Sequence, residues 1–262
     1  MILVKGAGEL ASGIAWRLVQ CGFDVVMTEV PQPLAVRRTV SFCSAVYTGT
    51  WTVEGVTARL VDDVRHALPG EIPLLIDPSA SVASWLGPEA IVDAIMAKRN
   101  LGTCILDAPI VIGVGPGFTA TVDCHAVVET QRGHWLGRAY TRGSALPNTG
   151  VPAERGGHSE GRIVRAPAAG RFTGVADIGF PVVPGQVLGK VDGIPVKAAI
   201  GGLLRGLVFD GTPVTPGLKI GDIDPVCEPE RCHSISDKAL AVAGGVLEAL
   251  LKLRHREAML RG

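Results

Sequence analysis

The residues best able to do chemistry in this sequence sit in a short glycine turn near its start. Gly6-Ala7-Gly8-Glu9-Leu10-Ala11 follows the apolar run Ile2-Leu3-Val4, and Leu10, Ile14 and Leu18 then recur at helical spacing. In such a strand, turn and helix, Gly6 permits the tight turn, Gly8 lets the backbone approach a phosphate, and Ala11 lets helix and strand pack closely. The helix start adds unpaired amides and the positive end of a dipole. Glu29 lies 21 residues beyond Gly8, just after a second apolar run, Val25-Val26-Met27, where a carboxylate accepts hydrogen bonds from ribose hydroxyls. The spacing predicts a site for a phosphate-bearing small molecule at Gly6, Gly8, Glu9, Ala11 and Glu29, with Arg37 and Arg38 placed to hold the anion. An empty βα turn and a solvated arginine pair are the competing reading.

Further candidates lie downstream. Leu74-Leu75-Ile76-Asp77 reads as a buried strand with a carboxylate at its end. Ile91–Met96 reads as a helix ending in the polar cluster Lys98-Arg99-Asn100. Ile110-Val111-Ile112 reads as a strand running into a second glycine loop, where Gly115 and Gly117 expose either a nest of amides or a plain turn. Thr121–Thr130 alternates, placing Asp123, His125, Val127 and Glu129 on one strand face. Lys98, Asp107 and His125 are the candidates for acid–base work, although a solvent-facing polar strand explains the alternation without chemistry. No metal site is expected, and His134 reads as a surface residue.

These residues must be carried by a folded body. The 262 residues are 47% hydrophobic and 19% charged, with 34 Gly and 18 Pro, which excludes a disordered chain and implies many turns. The balance of 25 basic and 25 acidic residues removes the global attraction that nucleic-acid and membrane-surface binders use, so an anion site must be local. The start of the sequence lacks a secretory-signal pattern, and no apolar run approaches the roughly 18 residues that span a bilayer, so a cytoplasmic location is expected. Six scattered cysteines without a CxxC pair argue against a disulfide framework.

The strongest pattern is a repeat at an offset of 32 residues, pairing 164–191 with 196–223 and identical at ten of 28 positions, mostly Gly and Pro. Each half needs the same turns and cannot bury its own apolar face, so the halves must interlock. Ala166-Pro167, Gly170, Gly179, Val182, Gly185-Gln186 and Gly189 resemble the barrel-sandwich hybrid of biotinyl and lipoyl carrier domains. Those carriers present a lysine at the tip joining their halves. Here Asp192-Gly193 occupies the tip as a type I′ turn, and Lys190 and Lys197 only flank it, so neither biotin nor lipoate is expected. The polar stretch 148–161 reads as a linker. Ser234-Ile235-Ser236-Asp237 reads as a capping box opening a last helix with Leu240, Ala243, Leu247 and Leu250 on its apolar stripe, and Gly244-Gly245 within it implies close contact with another element.

The expected architecture is α/β: a Rossmann-like domain (1–157), a barrel-sandwich hybrid module (158–226) and a helical segment packing on a domain (227–262). Together with Thr28-Glu29, Arg37-Arg38-Thr39, Asp93–Thr103, Gly115–Thr119 and Ile235–Lys238, the glycine turn resembles the YqeB-type accessory proteins of selenium-dependent molybdenum hydroxylase systems. The resemblance, which runs from about residue 1 to residue 250, implies a maturation factor that binds a molybdopterin-type cofactor or dinucleotide and docks a molybdenum hydroxylase client. Maturation of that kind delivers sulfur or selenium, a task suited to a thiol of lowered pKa, and Cys232, beside His233 and ahead of a helix start, is the best-placed thiol. The alternative is an NAD(P)-dependent oxidoreductase using Gly6, Gly8 and Glu29. Homo-oligomerisation is left open.

Overall fold

The computed structural model describes residues 1–150, 157–158, 160–226 and 228–261. Much of the stretch expected as a linker, and Cys227, lie outside the described residues. The first part of the chain runs β1 (Ile2–Lys5), α1 (Glu9–Gln20), β2 (Val25–Glu29), α2 (Ala45–Thr48), β3 (Thr50–Val53), β4 (Val56–Leu60), β5 (Ile72–Ile76), α3 (Ala83–Leu86), β6 (Ala90–Asp93), β7 (Ile110–Val114), β8 (Thr119–Ala120), β9 (Ala126–Val128), β10 (Ala139–Tyr140) and β11 (Gly143–Ser144). The second part runs β12 (Ile163–Arg165), β13 (Gly170–Gly174), β14 (Pro181–Val182), β15 (Val187–Val191), β16 (Ile194–Lys197), β17 (Gly202–Leu207), β18 (Pro213–Val214), β19 (Lys219–Asp224) and α4 (Asp237–Arg261).

Nine strands form one mixed sheet in the order β10-β9-β7-β6-β1-β2-β5-β4-β3, parallel at its centre and antiparallel at both edges. Its central strands read as unbroken apolar runs because both faces are covered. Ile2, Val4, Met27, Leu74, Val92 and Ile112 point to one face, while Leu3, Val26, Leu75 and Ile91 point to the other. Helices α1 and α4 lie side by side on the first face. They approach closely at Gly13, where a Cβ would come within 2.9 Å of the Ala239 methyl. On the second face the covering chain holds no helix longer than the four residues of α3.

This layering corrects the expected Rossmann-like domain, whose crossovers place helices on both faces of a parallel sheet. Only β1 and β2 are joined through a helix of more than one turn. The segment read as a helix over Ile91–Met96 is also corrected: its first half belongs to β6, hydrogen-bonded between β1 and β7, since a short β-branched run buried on both faces suits a central strand. The alternating stretch Thr121–Thr130 contributes only Ala126–Val128 as strand, and Val127 and Glu129 are buried rather than solvent-facing.

From β12 to β19 the chain forms two small antiparallel sheets, β12-β19-β17-β14 and β16-β15-β13-β18. Each takes two strands from each copy of the repeat, so the halves interlock around Phe172, Leu188, Leu204, Ile220 and Ile223. The equivalent Gly185 and Gly217 both hold left-handed backbone, at φ 83° and 78°. The tip Asp192-Gly193 has positive φ at both residues, as a type I′ hairpin requires. A free carrier barrel is nevertheless the wrong description. Strands β17 and β19 are buried on both faces, and Gly206 packs its backbone against the carbonyl of Val36, making this sheet a wall of the larger body.

The cap of α4 falls two residues later than expected. Ser236 is the capping residue, its Oγ accepting from the Ala239 N–H at 3.2 Å, while Asp237 bonds Arg132. The tandem glycines divide their roles, because a Cβ on Gly245 would collide with the Gly137 carbonyl oxygen whereas one on Gly244 meets nothing. Gly245→Ala is therefore expected to lose about 2–3 kcal/mol in urea unfolding through overpacking, and Gly244→Ala to gain up to about 1 kcal/mol from helix propensity.

Candidate functional site

The β1–α1 junction is closed by its own carboxylate. The Ala7 N–H donates to Glu29 Oε2 at 2.8 Å, and the Val30 N–H donates to Oε1 of the same side chain at 2.8 Å. The Ala7 carbonyl is spent on the Cys43 N–H and the Ser12 hydroxyl. Gly6 has φ 88°, and a Cβ there would meet the backbone of Ile95 at 3.0 Å. Burial pushes the Glu29 carboxyl pKa above its usual range, against the two amide bonds that lower it. The residues predicted to admit a pyrophosphate and a ribose are thus satisfied by one another, and Ala11 is buried against the core.

The open space lies one turn away. A cavity of about 460 Å³ starts at Gly8, Glu9 and Leu10 and runs between the loop after β6 (Ala94, Ile95, Met96), the segment 34–37 and the outer wall of the β-unit. Four basic side chains line it, Arg37, Arg205, Lys219 and Lys238, against two acidic ones, Glu9 and Asp222. Arg37 is buried. Its Nη1 donates to Glu9 at 3.1 Å, and its Nη2 donates to the carbonyls of Arg231 at 3.0 Å and Ser234 at 3.3 Å. Arg205, on β17, has a side chain only 9% exposed, with the Asp224 carboxylate 3.8 Å away as its ion-pair partner. The Nε of each arginine is buried without a hydrogen bond. Asp222 is engaged by Arg162 at 3.1 Å and Lys219 at 3.4 Å. Burial, more than neighbouring charge, lowers the Arg37 pKa, and Arg205 is among the charges lowering it further. Lys238 is lowered by burial and then by Arg132.

The other predicted site residues are scattered. Arg38 lies over the Phe209 ring, 4.8 Å from its centroid. Lys98 and Arg99 are exposed, and Asn100 donates to the Thr103 carbonyl and to Asp123. The second glycine loop is packed shut, since Gly117 sits against the Arg99 backbone and Gly115 against Thr130 and Met96. Asp107 and His125 share a depression before the starts of β6 and β7, at the opposite edge of the sheet from Gly8 and so apart from Lys98. There the His125 Nδ1 accepts from the Val111 N–H, and Asp107 accepts from the Cys104 N–H. Cys232 is fully buried in the core of the β-unit, which corrects its expected role as an accessible sulfur carrier. Arg205, Lys219, Asp222 and Lys238 were missed by the motif reading. The available signal was Arg205, a lone charge in the apolar run Leu203-Leu204-Arg205-Gly206-Leu207.

No protein-family model matches the chain. It is 48% identical over 260 residues to a protein of Escherichia coli strain K12 named YqeB and described as uncharacterized; the match covers 98% of this chain and 48% of that protein, so the chain spans about half the length of the curated relative it matches. Among solved structures it is similar to an aspartoacylase family protein of Mesorhizobium loti (10% identity, 86% of this chain and 85% of that one, TM-score 0.28) and to a succinylglutamate desuccinylase of a Silicibacter species (12% identity, 85% and 84%, TM-score 0.26).

The expected maturation role for a molybdenum hydroxylase, and the NAD(P)-dependent oxidoreductase kept as its alternative, do not stand. The structural matches are of another kind, and at such TM-scores they lend this chain neither fold nor activity. Geometry gives the physical reason for the correction: the Glu29 carboxylate, on which both roles were built as a ribose acceptor, is taken up by the Ala7 and Val30 amides. The handling of molybdenum and selenium falls with it. No helix among the described residues is long and apolar enough to cross a membrane.

The Glu29 site yields a pH test. Its pKa is raised in the folded state, so its contribution to stability is fully present below the usual glutamate value of about 4.3 and is lost as pH rises through the folded value. Glu29→Gln is expected to gain stability relative to the parent protein between pH 4.5 and pH 7 in urea unfolding. A constant difference across that range would show that this carboxylate is not held by burial.

Proposed function

We propose that this chain binds an anionic small molecule, carrying phosphate or carboxylate, in the cavity between the start of α1 and β17. The observation that carries the reading is the Arg37–Arg205 pair: two buried guanidiniums in one cavity, each with an orphan Nε. A buried cation costs several kcal/mol unless an anion and hydrogen bonds compensate, and Arg205 donates no hydrogen bond among the described residues. Guanidiniums suit phosphate and carboxylate because they donate in a planar fork. The amides of the first turn of α1, which no side chain caps, open on the same cavity and favour the same charge. Apolar Leu34, Val36 and Met96 also line the cavity, suiting a ligand with an uncharged body.

This reading places the anion beyond the Gly6–Glu29 junction rather than in it. It needs no nicotinamide, no metal and no accessible thiol, and it leaves Cys232, Asp107 and His125 outside the site. The test compares melting temperatures in phosphate and in chloride at equal ionic strength. Phosphate is expected to raise the melting temperature of the parent protein by about 3–5 °C. Arg205→Met should abolish that rise, and should melt below the parent protein in chloride because it strands the buried Asp224 carboxylate without its ion-pair partner. Equal phosphate shifts in the two proteins would overturn the proposal.

A further inference from the structure

The nine-stranded sheet ends at β10, which pairs with β9 alone. The Arg138 carbonyl faces β9 and accepts from the Glu129 N–H at 3.0 Å, and the next residue, Ala139, lies opposite Val128. Alternation along an antiparallel strand therefore turns the N–H and C=O of Ala139 away from the sheet. Along this edge lies a groove of about 730 Å³, lined by residues 136–142, His134 and Glu248 of α4. The edge is held in place, because the Gly137 backbone packs against Ala241 and Gly245 of α4 with no room for a Cβ on either glycine.

Charge marks the groove as well. Arg138 and Arg142 are exposed, and among the described residues neither side chain has an ion pair or a hydrogen bond. The Arg138 guanidinium lies over the Trp135 ring, 4.6 Å from its centroid, and His134 meets the same ring edge-on. Stacking on a ring face braces a guanidinium while leaving its in-plane N–H groups unspent. The lining carries a single acidic residue, Glu248. We propose that β10 docks an extended acidic segment of a partner protein, which adds to the sheet as a further strand. Its main chain would bond Ala139, and its carboxylates would take the free donors of Arg138 and Arg142. Strand addition draws affinity from main-chain hydrogen bonds and selectivity from the flanking side chains. Guanidiniums match carboxylates in shape and charge, and the open main-chain edge suits a peptide rather than a nucleic acid. The groove shares no lining residue with the cavity beside α1, so the proposal stands apart from the anion reading.

Fluorescence anisotropy of the full chain tests this with a labelled eight-residue peptide of alternating valine and threonine, ended by glutamate on both sides. It is expected to bind at least about tenfold more tightly than the same peptide ended by lysine. A copy N-methylated throughout its centre, unable to donate main-chain hydrogen bonds, should bind at least about tenfold more weakly. Hydrogen exchange of the Ala139 amide should slow when the acidic peptide binds. Replacing both arginines, Arg138→Gln with Arg142→Gln, should weaken the acidic peptide by about tenfold while leaving the phosphate-induced melting shift unchanged, which reports an intact fold. Equal binding of the glutamate-ended and lysine-ended peptides, or undiminished binding of the N-methylated copy, would overturn the proposal. So would tighter binding of an octathymidylate, which assigns the groove to nucleic acid. Absence of acidic-peptide binding at millimolar concentration overturns it too, leaving β10 as an edge that its charges close to pairing.

Discussion

Arg37 is the interaction on which the arrangement of the molecule depends. Removing a guanidinium from water is costly, and the cost is met only where acceptors converge on it. Arg37 gathers acceptors from distant parts of the chain: Glu9 at the start of α1, and the carbonyls of Arg231 and Ser234 in the segment leading into α4. Thr39 and Glu54 fasten the same segment, at the Cys232 carbonyl and the Ile235 N–H. The exit from the β-unit, the entry to α4 and the start of α1 are thereby set with respect to one another. Because the same guanidinium lines the cavity together with Arg205, the latch that joins the two halves supplies charge to that cavity.

Much of the local structure was legible because it follows from short-range chemistry. The strand Ile2–Lys5, the helix from Glu9 and the strand ending at Glu29 lie where the apolar runs and the glycine turn put them. The 32-residue repeat announced interlocked halves, and Asp192-Gly193 announced its turn. What was not legible depended on partners distant in sequence. Glu29 reads as a ribose acceptor until the Ala7 amide is seen to occupy it. Ile91-Val92 reads as the start of a helix until β1 and β7 flank it. Cys232 reads as a thiol of lowered pKa ahead of a helix start until the β-unit closes over it.

The cavity illustrates the same limit from the other side. Arg205 aligns with Thr173 in the repeat, so one copy places a small exposed hydroxyl where the other places a buried cation. The repeat explains the turns and strands of both copies but not this difference. The docking of β17 against Val36 does, because it converts an outward-facing position into part of the lining of the cavity. A residue that departs from an internal symmetry therefore gives a sharper pointer to chemistry than a glycine motif that conforms to a common fold signature.

Helix α4 contributes Ala239, Val242, Ala243, Val246, Ala249 and Leu250 to the core that α1 and the nine-stranded sheet share. The β-unit therefore sits inside the sequence of the sheet body, between the strands of that body and the helix that seals one of its faces. During synthesis that face stays uncovered while the whole β-unit emerges from the ribosome. Its closure spans a chain separation of more than two hundred residues, from Gly13 to Ala239. Loop closure over such a distance is entropically slow, so the β-unit gains a kinetic role as well as a structural one: folded early, it shortens the excursion that brings α4 home.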